Sequence, residues 1–266
     1  MIGILIGVGA VIITFMLKGV SPTILINLPS IFIVIVGSIG AVVASFGLPA
    51  FMNIGKTFML GSKPYTGNIV ATRIMLVDFA KRARQGGLLT LETDVEQLEN
   101  RFLKRGLQMV IDSMEPEDVE AILELEVEAL QRRHAVAHQQ WGLWAGYAPT
   151  FGILGAVMGL IAVMAHLSEP EKLGAGIQVA FIATLLAVGL ANILFMPISV
   201  ALKGRTAAEV NEMNMSIAGI LAIQAGEKWP VVEAKLDTFL SREDKARLAA
   251  KAAEAKGGAT AAAEAL

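Results

Sequence analysis

Hydrophobic positions along this chain fall into two regimes. Four stretches, residues 1–17, 19–55, 135–168 and 173–202, contain no Asp, Glu, Lys or Arg. A membrane-crossing helix needs about 20 apolar residues, with a lower limit of about 17. The last three stretches exceed that length and the first sits at the limit. Pro22 and Pro29 punctuate the second stretch, so its span is expected from Leu28 to Phe51. Elsewhere residues fall near helical spacing: Ile69, Ile74, Val77 and Ala80, with Lys81 beside them; Val95, Leu98, Phe102 and Met109; Ile122, Leu125 and Ala129. Pro116 suits a first helical position, with Glu115, Glu117 and Asp118 at the positive dipole end and Arg132 and Arg133 late. From Ala246 the tail is rich in Ala, Lys and Glu and passes Gly257-Gly258, which predicts a fraying helix and then disorder.

This pattern predicts an all-α integral membrane protein with four transmembrane helices and a helical cytoplasmic segment between spans two and three. The expected divisions are 1–51 (first transmembrane hairpin), 52–140 (cytoplasmic helices), 141–202 (second transmembrane hairpin) and 203–266 (cytoplasmic tail). Orientation follows from the basic residues. Residues 50–145 hold 11 of the 22 Lys and Arg and residues 203–266 hold nine, whereas residues 18–27 and 168–175 hold one each. Basic residues stay on the cytoplasmic side, so both termini and the central segment are placed there, with two tight hairpins outside.

Composition narrows the chemistry. Only 17% of the residues are charged, against about a quarter in a soluble domain. The formal net charge of −2 gives no electrostatic basis for nucleic-acid binding. No cysteine is present, which removes disulfides, thiolate catalysis and Cys-ligated metals. The N-terminus lacks the basic start of a signal peptide and is expected to stay as a span. None of the four apolar stretches holds a carboxylate. An ion path normally shows a titratable group within its spans, so a proton-moving chain of this kind takes its acid from another chain.

Several residues within the spans carry alternative readings. Gly3/Gly7 and Gly155/Gly159 have the small-xxx-small spacing that lets helices approach closely, either within one subunit or between subunits. Pro149 and Pro197 each lack an N–H and free the carbonyls of Ala145 and Ile193. Each falls within about 15 Å of the cytoplasmic surface at the helical rise per residue. Two kinks at one depth suit a hinge, and two tolerated membrane prolines are the plain alternative. Thr184 is either bonded back to the Ala180 carbonyl or a polar lining group of an ion path, joined there by Tyr147, Thr150, Asn192 and Ser199. His134 and His138 have a metal-compatible spacing without a third ligand nearby, so no metal is assigned, and His166 is placed at the membrane interface. Ala50, Gly55, Lys56 and Thr57 mimic a phosphate-binding loop, but they leave a membrane span rather than a buried strand. No cofactor and no catalytic residue is assigned, and the chain is not read as an enzyme.

The run Ala148-Pro149-Thr150-Phe151-Gly152-Ile153-Leu154-Gly155-Ala156-Val157-Met158-Gly159 resembles the third span of the flagellar stator A subunits, the MotA/PomA family. The stretch Arg84-Gln85-Gly86-Gly87-Leu88-Leu89-Thr90-Leu91-Glu92 resembles that family's torque region, and the resemblance covers essentially the whole chain in order. It implies five A subunits around a dimer of a one-span, MotB-like B subunit whose Asp binds the proton. It also implies a location in the bacterial inner membrane, among its lipids. Ion flow would rotate the ring against a FliG-like rotor switch protein. By the same resemblance, Arg84 and Glu92 carry the rotor contact, Pro149 and Pro197 couple flow to rotation, and Thr184 faces the channel. Sodium-driven relatives often carry Thr where this chain has Ala156, so protons are the expected ion. The alternatives are an ExbB/TolQ-like energy-coupling subunit, typically with three spans, and a small-solute transporter, which would show internal repeats and a midplane binding site.

Overall fold

The computed structural model describes residues 2–63, 65–165, 170–251 and 253. His166 and the tail expected to be disordered lie outside the described residues. In chain order the helices are α1 (Ile2–Leu17), α2 (Leu28–Ile31), α3 (Gly37–Phe46), α4 (Leu48–Phe51), α5 (Ile54–Gly61) and α6 (Ile69–Gly86). They continue as α7 (Glu92–Glu96), α8 (Arg101–Ile111), α9 (Pro116–Met164), α10 (Pro170–Gly189), α11 (Met196–Gln224) and α12 (Trp229–Asp237). π-helical turns at Phe32–Val36 and Leu190–Phe195 join α2 to α3 and α10 to α11. Among the described residues, three runs are long and apolar enough to cross a bilayer: Leu28–Phe46, and windows within Pro116–Met164 and Leu173–Gln224. The protein is an all-α, multi-pass membrane protein. With 16 residues, α1 is about 24 Å long, short of a hydrocarbon core of about 30 Å.

Two boundaries differ from the sequence expectation. The second apolar helix stops at Phe46, not Phe51, because Gly47 takes φ +80°, a region that only glycine enters at little cost. The helix begun at Pro116 does not end near Arg132 and Arg133. It continues for 49 residues into the third apolar stretch, since nothing between Arg133 and Trp141 breaks helical geometry.

The chain forms two compact units, Met1–Pro64 with Arg132–Arg205, and Tyr65–Gln131 with Thr206–Leu266. In the first unit, α9 and α10 pack antiparallel along a seam of small residues. A Cβ built on Gly159 would lie 3.1 Å from the Ala180 Cβ, and one on Gly155 would lie 3.1 Å from the Ala183 Cβ. A Cβ on Gly152 would overlap the Ala187 Cβ. This close approach, rather than water exclusion, holds helices together in lipid. Gly155 therefore serves packing within the chain. Gly7 likewise meets Ile193, whereas Gly3 has open space beside it. An aromatic cluster closes one end of the unit. Trp144 stacks on Phe195 at 4.3 Å between centroids, and Trp141 stacks on Trp144 at 5.5 Å. Each indole N–H is satisfied: Trp141 Nε1 donates to Thr57 Oγ1 at 2.9 Å and Trp144 Nε1 to Ser38 Oγ at 2.8 Å.

The second unit has a conventional apolar core that includes Leu76, Leu91, Val95, Leu103, Leu107, Val119, Leu123, Ile220, Val232 and Leu236. The buried stripe of α9 is Val119, Leu123 and Val127, spaced four apart, while Leu125 is exposed. In α6, Leu76, Val77, Phe79 and Ala80 are buried and Ile74 is exposed. Arg73 is buried and fixes α12 on α6. Its Nη2 meets Glu233 Oε1 at 2.6 Å and its Nε meets Asp237 Oδ1 at 2.9 Å. Burial opposes the Arg73 charge, but these two carboxylates more than offset it and hold its pKa above the ordinary arginine value. Buried Glu212 accepts from Thr72 Oγ1 at 2.7 Å and Tyr65 OH at 3.2 Å, tying the start of α6 to α11.

Candidate functional sites

Pro149, Ala156, Thr184 and Pro197 belong to the first unit, and Arg84 and Glu92 to the second. Thr184 lies on the α9–α10 seam. Its Oγ1 is 3.4 Å from the Ala180 carbonyl and 3.5 Å from the Gly152 carbonyl. A firm O–H···O bond spans about 2.5–3.0 Å, so this hydroxyl is loosely shared between its own helix and α9. Ala156 lies half-buried, one turn beyond Gly152 on the same helix.

The two prolines differ in setting. Pro149 is half-buried inside unbroken α-helix, and Pro197 is exposed just after the π-turn. A π-turn absorbs an extra residue and leaves the backbone ladder irregular, a common feature of functional segments. The Trp144–Phe195 stack lies five residues before Pro149 and two before Pro197, but the two helices run antiparallel, so the prolines fall on opposite sides of the stack, about 10 Å apart along the helices at 1.5 Å per residue and not at the one depth expected from the sequence. Pro197 also lines a cavity of about 410 Å³ with Gly3, Gly7, Ser62, Asn192 and Ile193. The polar groups named beside Thr184 all have partners. Thr150 Oγ1 donates to the Tyr147 carbonyl at 2.7 Å, Tyr147 OH pairs with Ser45 Oγ at 3.0 Å, Asn192 Nδ2 donates to the Val188 carbonyl at 3.0 Å, and Ser199 Oγ donates to the His138 carbonyl at 2.7 Å.

In the second unit, Gly87 at φ +84° ends α6, with its N–H bonded to the Ala83 carbonyl at 2.8 Å. A 3-10 turn, Leu88–Leu91, then leads into α7. Arg82 clamps this bend. It pairs with Asp94, lies 3.8 Å from Asp78 and donates to the Thr90 carbonyl at 3.2 Å. The Asp94 hydrogen bond holds the Arg82 pKa above its ordinary value. Arg84 and Glu92 are different. Both are exposed, and neither forms an ion pair among the described residues. Arg84 instead donates from Nη1 to the Gly226 carbonyl at 3.0 Å. The two residues named from sequence are thus an unneutralised cation and an unneutralised anion on either side of a bend clamped by the Arg82–Asp94 pair. Sequence reasoning overlooked the aromatic cluster, where three tryptophan or phenylalanine residues beside serine and threonine were the available signal. It also missed the Gly226 contact, for which a separation of 142 positions left no signal.

Comparison with known proteins matches the same order of elements. The family model described as the MotA/TolQ/ExbB proton channel family matches residues 94–215. The motility protein A of Bacillus subtilis (strain 168) is 35% identical over 97% of this chain and 96% of that protein. The motility protein A of Borreliella burgdorferi is 33% identical, covering 91% of this chain and 94% of its own length. The solved flagellar MotAB stator complex from Bacillus subtilis contains a chain that superposes with a TM-score of 0.86 at 35% identity, covering 93% of this chain and 98% of that one. On the strength of this near full-length likeness in sequence and fold, the chain belongs to the MotA/TolQ/ExbB proton channel family, among the motility protein A subunits of the flagellar stator.

Proposed function

We propose that five copies of this chain form a ring around a dimer of a MotB-like B subunit in the bacterial inner membrane, and that proton flow along the ring's inner face turns it against a FliG-like rotor switch protein. In this reading α1 is a fourth, short span, and both termini lie in the cytoplasm. The work is electrochemical and mechanical rather than enzymatic. Thr184, Ala156, Pro149 and Pro197 serve the ion path and its coupling, and Arg84 and Glu92 face the rotor.

One observation carries the division of labour: the apolar stretches of an ion-channel family member hold no carboxylate. A proton path through lipid needs a titratable group, so the partner's span brings it. For the rotor contact, the support is that Arg84 and Glu92 lack ionic partners while neighbouring Arg82 and Asp94 pair with each other. Copurification tests the assembly. A one-span partner with an Asp near the start of its span is expected to come with the chain in a stable ring, and isolation as a lone carrier overturns the proposal.

A further inference from the structure

We infer that the rotor-facing surface is composite: the Gly226–Trp229 turn after α11 joins Lys81 and Arg84 of α6, and Trp229 is the apolar anchor that seats an acidic protein surface. This rests on the reading of Arg84 as the rotor contact and adds a second segment to it.

Two residues one turn apart on α6 meet the same four-residue turn. Lys81 Nζ stands 4.7 Å from the centroid of the Trp229 ring, and Arg84 Nη1 bonds the Gly226 carbonyl at 3.0 Å. The turn is a built element. Gly226 has φ +63°, its N–H bonds the Ile223 carbonyl at 3.0 Å, and the Glu227 N–H bonds the Ala222 carbonyl at 3.1 Å. That pairing is the Schellman termination of a helix, which fixes the direction of the Gly226 carbonyl toward Arg84. The far side of the turn is fixed as well. Val232 and Leu236 of α12 are fully buried, and Arg73 holds Glu233 and Asp237. Trp229 nevertheless remains 42% exposed at the start of this anchored helix.

Charge selects the partner. Lys81, Arg84 and Lys228 form no ion pair among the described residues, while Glu227 is occupied by Lys235 at 2.5 Å and Arg82 by Asp94. The face therefore presents three unneutralised cations around a half-exposed indole. Arg and Trp are the residues that most often dominate binding at protein interfaces, and the cations call for carboxylates opposite. Recognition of anionic lipid typically draws on a denser cluster of about four to eight basic residues, so an acidic protein surface is the better fit.

The test uses a motile host carrying the full-length chain with its B subunit. It reads torque per stator from tethered beads and the membrane level of each variant. A benzophenone amino acid at position 229 reports what the site touches. Trp229→Ala and Lys228→Glu are expected to lower torque at unchanged membrane level, Trp229→Phe to retain most of it, and the photo-adduct to form with the rotor switch protein. Affinity of the purified stator complex for that rotor protein should fall about tenfold or more in Trp229→Ala. Full torque in Trp229→Ala and Lys228→Glu, with Arg84→Glu impaired, overturns the composite surface and leaves the Arg84 reading standing. Full torque in Arg84→Glu as well removes that reading and the inference with it. Should Trp229→Ala fail to reach the membrane, the adduct decides, and one formed with lipid or with the chain itself overturns the inference.

Discussion

The difference between Arg82 and Arg84 illustrates what a residue's surroundings do to an apparently similar side chain. Two positions apart on α6, one is spent on Asp94, Asp78 and the Thr90 carbonyl, and the other keeps its charge for a partner. Arg84 is exposed, and substitutions at such surface positions usually change stability by less than about 0.5 kcal/mol, so reversing it should leave the fold intact. Arg84→Glu is expected to impair swimming, and a compensating reversal on the rotor is expected to restore part of it; normal swimming in the single variant would count against the rotor assignment. Thr184 is the corresponding case in the membrane part. Thr184→Val keeps the shape and removes a hydroxyl held at 3.4 Å and 3.5 Å from two carbonyls. Proton flux through the assembled complex should fall more than its membrane level does, and unchanged flux would show that Thr184 only packs. Both residues were singled out in the sequence by resemblance, and Thr184 also by its polar type within an apolar span. The surroundings that set them apart were not legible there. The Arg82–Asp94 pair forms across the Gly87 bend, and Thr184 reaches Gly152 across 32 positions.

At the level of elements, the α9–α10 pair depends on atoms that are missing. A methyl group at Gly152 would overlap Ala187, and overpacking of this sort costs about 1–3 kcal/mol. Gly152→Ala should therefore lower the thermal stability of the detergent-purified complex, and adding Ala187→Gly should recover most of the loss. A double variant no more stable than the single one would show that the loss does not come from the Ala187 contact but from the α10 backbone beside it, where the Ala183 carbonyl would stand at 3.2 Å. Pro149 sits in unbroken helix, so Pro149→Ala is expected to preserve assembly while weakening torque, both read in the same cells; loss of the complex would assign it to folding instead. Helix starts were easy to see in advance, because Pro116 and its acidic neighbours act locally. Helix ends were harder. Gly47 stops a span through its own φ, a choice the sequence permits but does not require, and α9 passes Arg132 and Arg133 because charge alone does not terminate a helix. The α9 stripe was misplaced for a related reason. Leu125 is as apolar as Leu123, and only packing against α11 and α8 decides which of them is buried; Gly106 and Ile220 meet there, beside Leu123.

At the scale of the whole molecule, the large apolar side chains left uncovered in the first unit, among them Ile2, Leu5, Ile6, Ile153, Met158 and Phe181, are what a protein surrounded by lipid and by copies of itself presents. The all-α, membrane-embedded class was legible from run length and charge alone. The split into two units was less so, because each unit is assembled from two separated pieces of chain. In the proposed assembly, the coupling ion is decided at this scale, by the ring and its partner together. A methyl at Ala156 offers no oxygen to replace water around sodium, so swimming should follow the pH gradient and persist without external sodium. Swimming that required external sodium whatever the pH gradient would reverse the assignment.

The bond from Arg84 to the Gly226 carbonyl bears on how such machines are re-engineered. If the composite surface proposed above is right, rotor preference is an address written in two places, residues 69–96 and the turn that opens α12. A chimera receiving only the first segment from a foreign relative would set its α6 cations, at the places of Lys81 and Arg84, against another protein's indole and turn. Such a graft should run poorly on either parent's rotor, and moving residues 222–237 along with it should make the transfer work.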